Sequence, residues 1–207
     1  MSDVTRRARS PRRLQPEQRR QQLVEVAIEL YSTRPYERVS VDDITEAADV
    51  SRALFYRYFE NPAQLFAAAS RVAIDGLVER LTALPEGSAF EQARQNVGEF
   101  IDFAVQHKSA VTALFRNSSA ISPEAGDLLG AVRTAVVSHI KTRAGLNDVD
   151  PLTELTLWCW MPVIEEATLQ WLHQPTVSRD TLVDWLAGQF FGMLGATQQF
   201  NSGDNPA

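Results

Sequence analysis

Ser40 and Ser51 each stand where a helix can begin, and only ten residues lie between them. Ser40-Val-Asp-Asp43 reads as a capping box with Asp in the Glu position, and Val39 and Ile44 are placed to form the hydrophobic staple around it. Ser51 can cap the next helix. Two short helices joined by a tight turn, about 20 residues in all, form a helix-turn-helix. Ile44 and Ala48 lie one turn apart and can face a core, and Ala48 is small enough for the second helix to cross closely. Asp49 occupies the turn, where Gly would be easiest and Asp is tolerated better than most residues.

Helix starts recur along the rest of the chain. Pro16 can open a helix to about Thr33, with Leu23, Ala27, Leu30 and Tyr31 at helical spacing, and Arg34-Pro35 stops it. Asn61-Pro62-Ala63-Gln64 offers another start. Leu84 to Gly87 reads as a break, after which Ser88-Ala-Phe-Glu91 is a full capping box opening a helix to about His107. Further starts stand at Ser122-Pro123, Asp150-Pro151 and Ser178, and nothing alternates with the period of two that a strand requires. The expectation is an all-α chain of about nine helices. Its parts are a basic flexible leader (1–15), a helix-turn-helix domain (16–66), a connecting helix (67–84) and a larger C-terminal domain (85–207).

Several classes are disfavoured by what the chain carries. A single cysteine, Cys159, cannot form an internal disulfide, and His107, His139 and His173 are far apart with no acidic or cysteine cluster at ligand spacing. No apolar stretch approaches a membrane span, so the expected setting is cytoplasmic, with no membrane partner and no cofactor. No nucleophile–base pair, metal cluster or phosphate loop supports an enzyme. Residues 1–20 hold seven arginines against two acids, whereas residues 81–207 hold seven basic against fourteen acidic side chains. A basic leader on an acidic body suits a chain in which one end meets a polyanion, and it equally suits a solvated tail.

The third helix gives that polyanion an identity. If Val50, Phe55 and Phe59 face the core, then Arg52, Ala53, Tyr56 and Arg57 face outward, with Leu54 and Tyr58 partly so. Arginine can pair with guanine O6 and N7, small apolar groups can touch a thymine methyl, and tyrosine hydroxyls can fix register on phosphates. Arg38, Ser40 and Ser51 complete the candidate DNA-binding set. The partner expected is a double-stranded DNA operator.

The string "VSVDDITEAADVSRALFYRYFENPAQLF" resembles the tetracycline-repressor (TetR) family of transcriptional regulators over about residues 18–66. Ile44, Ala48, Val50, Ser51, Phe55, Tyr56, Tyr58, Phe59 and Leu65 carry the match. Asp49, Pro35 and Pro62 depart from the pattern, which has Gly, Gly and Lys there. The resemblance implies an all-helical homodimer, a DNA-reading third helix and a C-terminal domain that binds a small effector.

In the C-terminal half, Phe100, Phe103, Phe115, Trp158, Trp160 and Met161 can line an apolar cavity, or simply pack a core. His107 joins this effector-binding set, and by family analogy it stands at the domain junction with Lys108. Pro162 sits inside a helical segment and should kink it. Glu165 falls on the stripe Leu155, Trp158, Pro162, Glu165, Leu169, Leu172, where a carboxylate needs a partner: a polar group of the effector, or a salt bridge. Gly188, Gly192 and Gly195 line one face of the last helix near Trp185, which suggests close approach by a second subunit or by a bulky neighbour within one. The expected function is a dimeric repressor relieved by a small, largely apolar effector. An activator and an effector-independent DNA-binding protein remain as alternatives.

Overall fold

The computed structural model describes residues 15–82, 87–145 and 148–203. Pro16 opens α1 (Pro16–Thr33), and Arg34 leaves it in extended backbone, as the residue before a proline must. A 3-10 turn (Tyr36–Arg38) leads to α2 (Val41–Ala47), where Ser40 and Asp43 form the reciprocal capping box. Asp49 then takes a φ of 50°, the left-handed conformation the turn needs. The chain thereby bends into α3 (Arg52–Tyr58), and Val50 N–H reaches back to Thr45 O at 2.9 Å. From α1, the Gln22 amide donates to Ala48 O at 2.9 Å, satisfying a carbonyl left free at the end of α2.

Asn61 starts α4 (Pro62–Thr82) by accepting from Gln64 N–H at 2.9 Å. This helix runs unbroken across residue 66, so one rigid element belongs both to the DNA-binding core and to the connection beyond it. There follow α5 (Ala89–Gln106), α6 (Lys108–Ile121), α7 (Pro123–Arg143), α8 (Pro151–His173) and α9 (Arg179–Asn201). Ser88, Ser122, Asp150 and Ser178 cap α5, α7, α8 and α9. The described residues thus form nine α-helices and no strand, the all-α class the cap pattern implies. None of these helices is long and apolar enough to cross a membrane. The expectations for residues 1–14 and for the break at 83–86 lie outside the described residues.

The helix-turn-helix is not packed apart from the rest. Tyr31 and Tyr36 each meet Phe66 with ring centroids 5.0 Å apart, fixing α1 on α4. The buried groups of α1 to α4 continue into Phe103, Val111, Leu114 and Leu128 of α5, α6 and α7. A second cluster joins α5, α7, α8 and α9 around Ile101, Leu157 and Leu186. Phe100 and Trp171 pack against both.

Candidate DNA-reading face and ligand cavity

Phe55 and Phe59 anchor α3, at 0% and 2% exposure, and Arg20 of α1 lies over the Phe59 ring at 5.1 Å. With that face buried, Arg52, Ala53, Tyr56 and Arg57 are exposed, while Leu54 and Tyr58 are half-buried at the margin of the core. Arg38, Ser40 and Ser51 are exposed as well. Two of these side chains already have partners within the chain. The Ser40 hydroxyl donates to the Asp43 carboxylate and accepts from Asp43 N–H, so the cap spends the proton that this hydroxyl would offer to a phosphate. Arg52 does not stand alone, because its Nε and Nη2 donate to the two carboxylate oxygens of Asp42. That contact is also the main reason the Asp42 carboxyl is held below the usual carboxylate range. Ser51 accepts from Leu54 N–H at 3.2 Å, which leaves its own proton unspent by that contact.

A cavity of about 420 Å³ runs among α1, α4 and the five helices that follow, its wall mostly apolar. Phe100, Phe103, His107, Phe115, Met161 and Glu165 line it, as does Trp160. Trp158 does not. It is 38% exposed, and its indole N–H donates to Glu154 at 3.3 Å. The reason is rotational: at about 100° per residue, Leu157, Trp160, Met161 and Ile164 set the buried face of α8 opposite Leu155. The stripe through Leu155, Trp158 and Pro162 is therefore outward in its first half and buried only from Glu165 onward. α8 is continuous through Pro162, which lies on the exposed side.

Two groups of polar side chains line the cavity besides Ser70 and Glu165. Far from α1, Gln92, Asn96, His139 and Arg143 line it, and Arg143 donates to Gln92 at 2.9 Å. Asn96 Oδ1 is buried there without a hydrogen-bond partner. Near α1, His107 Nδ1 lies 2.8 Å from Ser32 Oγ, which already donates to Ile28 O at 2.6 Å. The Ser32 proton is spent, so the imidazole must donate from Nδ1. Burial, reinforced by nearby Arg80, lowers the His107 pKa below its ordinary value and favours this neutral form. Along α5, the rise from Gln92 to His107 is ~22 Å, so the cavity is long relative to its volume.

Glu165 is 6% exposed, and the structure gives its partner as Arg133 of α7, whose Nε donates at 2.8 Å while Nη2 meets the second oxygen. The carboxylate on the apolar stripe is therefore an internal ion pair and not the free effector acceptor that the stripe permitted. Lys108 at the same junction donates to Leu172 O, tying α6 to the end of α8. On α9, a Cβ built at Gly188, Gly192 or Gly195 meets nothing within 4 Å, which removes the idea that these glycines make room for a neighbour in their own subunit. Trp185, on the same helix, is 51% exposed. Among the described residues no group of three His, Cys, Asp or Glu side chains could hold a metal ion.

A helix-turn-helix is thus joined to an all-helical body that holds a long, mostly apolar cavity. Residues 23–69 match the family model described as bacterial regulatory proteins, tetR family, and residues 90–193 match that of the tetracyclin repressor-like C-terminal domain. The chain belongs to the TetR family of bacterial transcriptional regulators. A crystal structure of a tetR-family transcriptional regulator from Streptomyces coelicolor is similar at 30% identity and a TM-score of 0.85, covering 90% of this chain and 85% of that one. The HTH-type transcriptional activator FasR of Mycolicibacterium smegmatis is 27% identical over 114 residues, 54% of this chain and 52% of that protein. The probable acrEF/envCD operon repressor of Escherichia coli is 35% identical over 81 residues, 38% of this chain and 37% of that protein. The aligned stretches thus span about half and about a third of these two relatives. These similarities are all to regulators of transcription.

Proposed function

We propose that the protein is a homodimeric repressor acting in the cytoplasm, which reads a palindromic operator through α3 and is released by a small, largely apolar effector. The observation that carries this reading is the outward face of α3, with Arg52, Tyr56 and Arg57 exposed above a buried Phe55. The twofold partner is a second copy joined through α8 and α9, whose outward sides carry Leu155, Trp158, Trp185 and the open glycines. Two recognition helices then address half-sites about 34–36 Å apart or a multiple of that distance.

The cavity supplies the control. Its wall includes Ile28, Tyr31 and Ser32 of α1 and runs along α4, so a ligand there touches elements of the DNA-binding core directly. A ligand long enough to reach His107 competes with the His107–Ser32 contact and shifts α1 and α4 together. The spacing of the two α3 helices changes in turn. The coupling is reciprocal: operator binding weakens the effector by the factor that the effector weakens the operator. The length and apolar wall suit an extended apolar molecule with a polar end near Gln92 and Asn96.

The activator reading is favoured by one observation, the similarity to FasR, which is named as an activator. It uses the same face and cavity with the opposite result for transcription. Loss of the protein raises expression from its target promoter if it represses, and lowers it if it activates.

The DNA reading is tested on Arg52. Arg52→Ala is expected to weaken operator binding by about 1–3 kcal/mol and to relax preference at one base pair of each half-site, if that guanidinium reads a guanine. Titration against operators varied one base pair at a time measures both. An unchanged preference at every position removes Arg52 from the reading face.

A further inference from the structure

We infer that Asp42 is a specificity-determining residue, a positioning residue whose carboxylate holds Arg52 in the orientation that reads a guanine. This rests on the reading of α3 given above. A guanidinium offers two sides that can each make a paired contact. The Nε/Nη2 side of Arg52 is closed by the two oxygens of Asp42. The Nη1/Nη2 side remains, and two donors there match guanine O6 and N7. Arg52 is the first residue of α3, the end of a recognition helix that meets base edges, and Asp42 lies in the first turn of α2. The pair therefore spans the two helices of the motif.

Its exposure argues that the contact serves recognition more than folding. The side chains are 64% and 63% exposed, and ion pairs in such settings add little to stability. An unrestrained arginine would lose its rotamer freedom on meeting DNA, whereas one already held by Asp42 has lost most of it beforehand. A competing possibility has the opposite sign: Asp42 could sequester Arg52 and repel the phosphates. Repulsion of phosphates acts on all sequences alike, so the ratio of affinities for two bases separates the two cases.

The test uses the full chain and pairs of duplexes that differ only at the base pair where Arg52→Ala loses its preference. Asp42→Ala and Asp42→Asn are expected to reduce the preference for guanine about 2- to 10-fold. In the Arg52→Ala background, Asp42→Ala is expected to change it no further. Thermal midpoints close to that of the parent protein establish that the variants are folded. Unchanged preference in the Asp42 variants, or tighter binding with preference intact, overturns the assignment of Asp42 while leaving Arg52 as a reader. If Arg52→Ala itself leaves every preference unchanged, the reading of α3 fails and the role of Asp42 falls with it.

Discussion

Gly192→Leu is expected to leave each subunit folded, convert the dimer to a monomer and weaken operator binding by about 100-fold or more. Within the subunit the substitution starts into open space, because Gly192 is exposed and nothing lies within 4 Å of a Cβ there. Replacing a helical glycine also favours the isolated helix by about 0.5–1 kcal/mol. Any damage must then arise between subunits. The surroundings point the same way: Trp185 is 51% exposed on α9, Leu155 is 58% exposed on α8, and the two helices are tied by Thr156 and Thr197 at 2.7 Å. An apolar surface of this kind on a helix pair marks an interaction site. Losing the second recognition helix forfeits the avidity of bivalent binding, about 10²–10⁴ where the geometry permits both contacts. Sedimentation and DNA titration check the two halves of the prediction. An intact dimer would move the interface off this face.

Glu165→Ala is expected to lower the thermal midpoint by roughly 5–10 °C. The substitution removes a carboxylate from the cavity wall and leaves the Arg133 guanidinium without its partner. For a wholly buried pair the cost is about 3–5 kcal/mol, but the Arg133 side chain is 34% exposed, so about 2–3 kcal/mol is appropriate. For a chain of this size each kcal/mol corresponds to about 2–4 °C. Replacing both members with apolar residues of similar volume, as in Arg133→Met with Glu165→Leu, is expected to recover most of the loss. Calorimetry on the three variants measures this. A silent Glu165→Ala would mean that the carboxylate is well solvated and free to meet a ligand.

The helix-turn-helix was legible in the sequence because its signals are local. Ser40 and Asp43 cap one helix, Ser51 caps the next, and the left-handed Asp49 sits between them, all within a dozen residues. The pairs that give the site its chemistry were not legible. Arg52–Asp42, Arg133–Glu165 and Ser32–His107 join positions 10, 32 and 75 residues apart, and the angles at which whole helices cross decide who meets whom. Trp158 shows a different limit. α8 carries apolar side chains on both sides, Leu157 and Trp160 inward, Leu155 and Trp158 outward. Periodicity finds an amphipathic helix by contrast, and a helix with a core on one face and an apolar surface on the other offers little contrast. The outward tryptophan therefore reads as a cavity residue alongside Trp160, and the structure keeps only Trp160 in the wall.

The reading proposed for the protein is that, as a dimer, it recognises DNA sequence through α3. Selection of bound duplexes from a random pool by the purified full chain tests it most directly. The account predicts an enriched palindrome whose half-sites are centred about one helical turn apart, or a multiple of it, with guanine at one position of each half-site and loss of that guanine when Arg52→Ala repeats the selection. Binding that falls steeply with salt but enriches no sequence would contradict the account, because charge alone would then explain the contact with DNA.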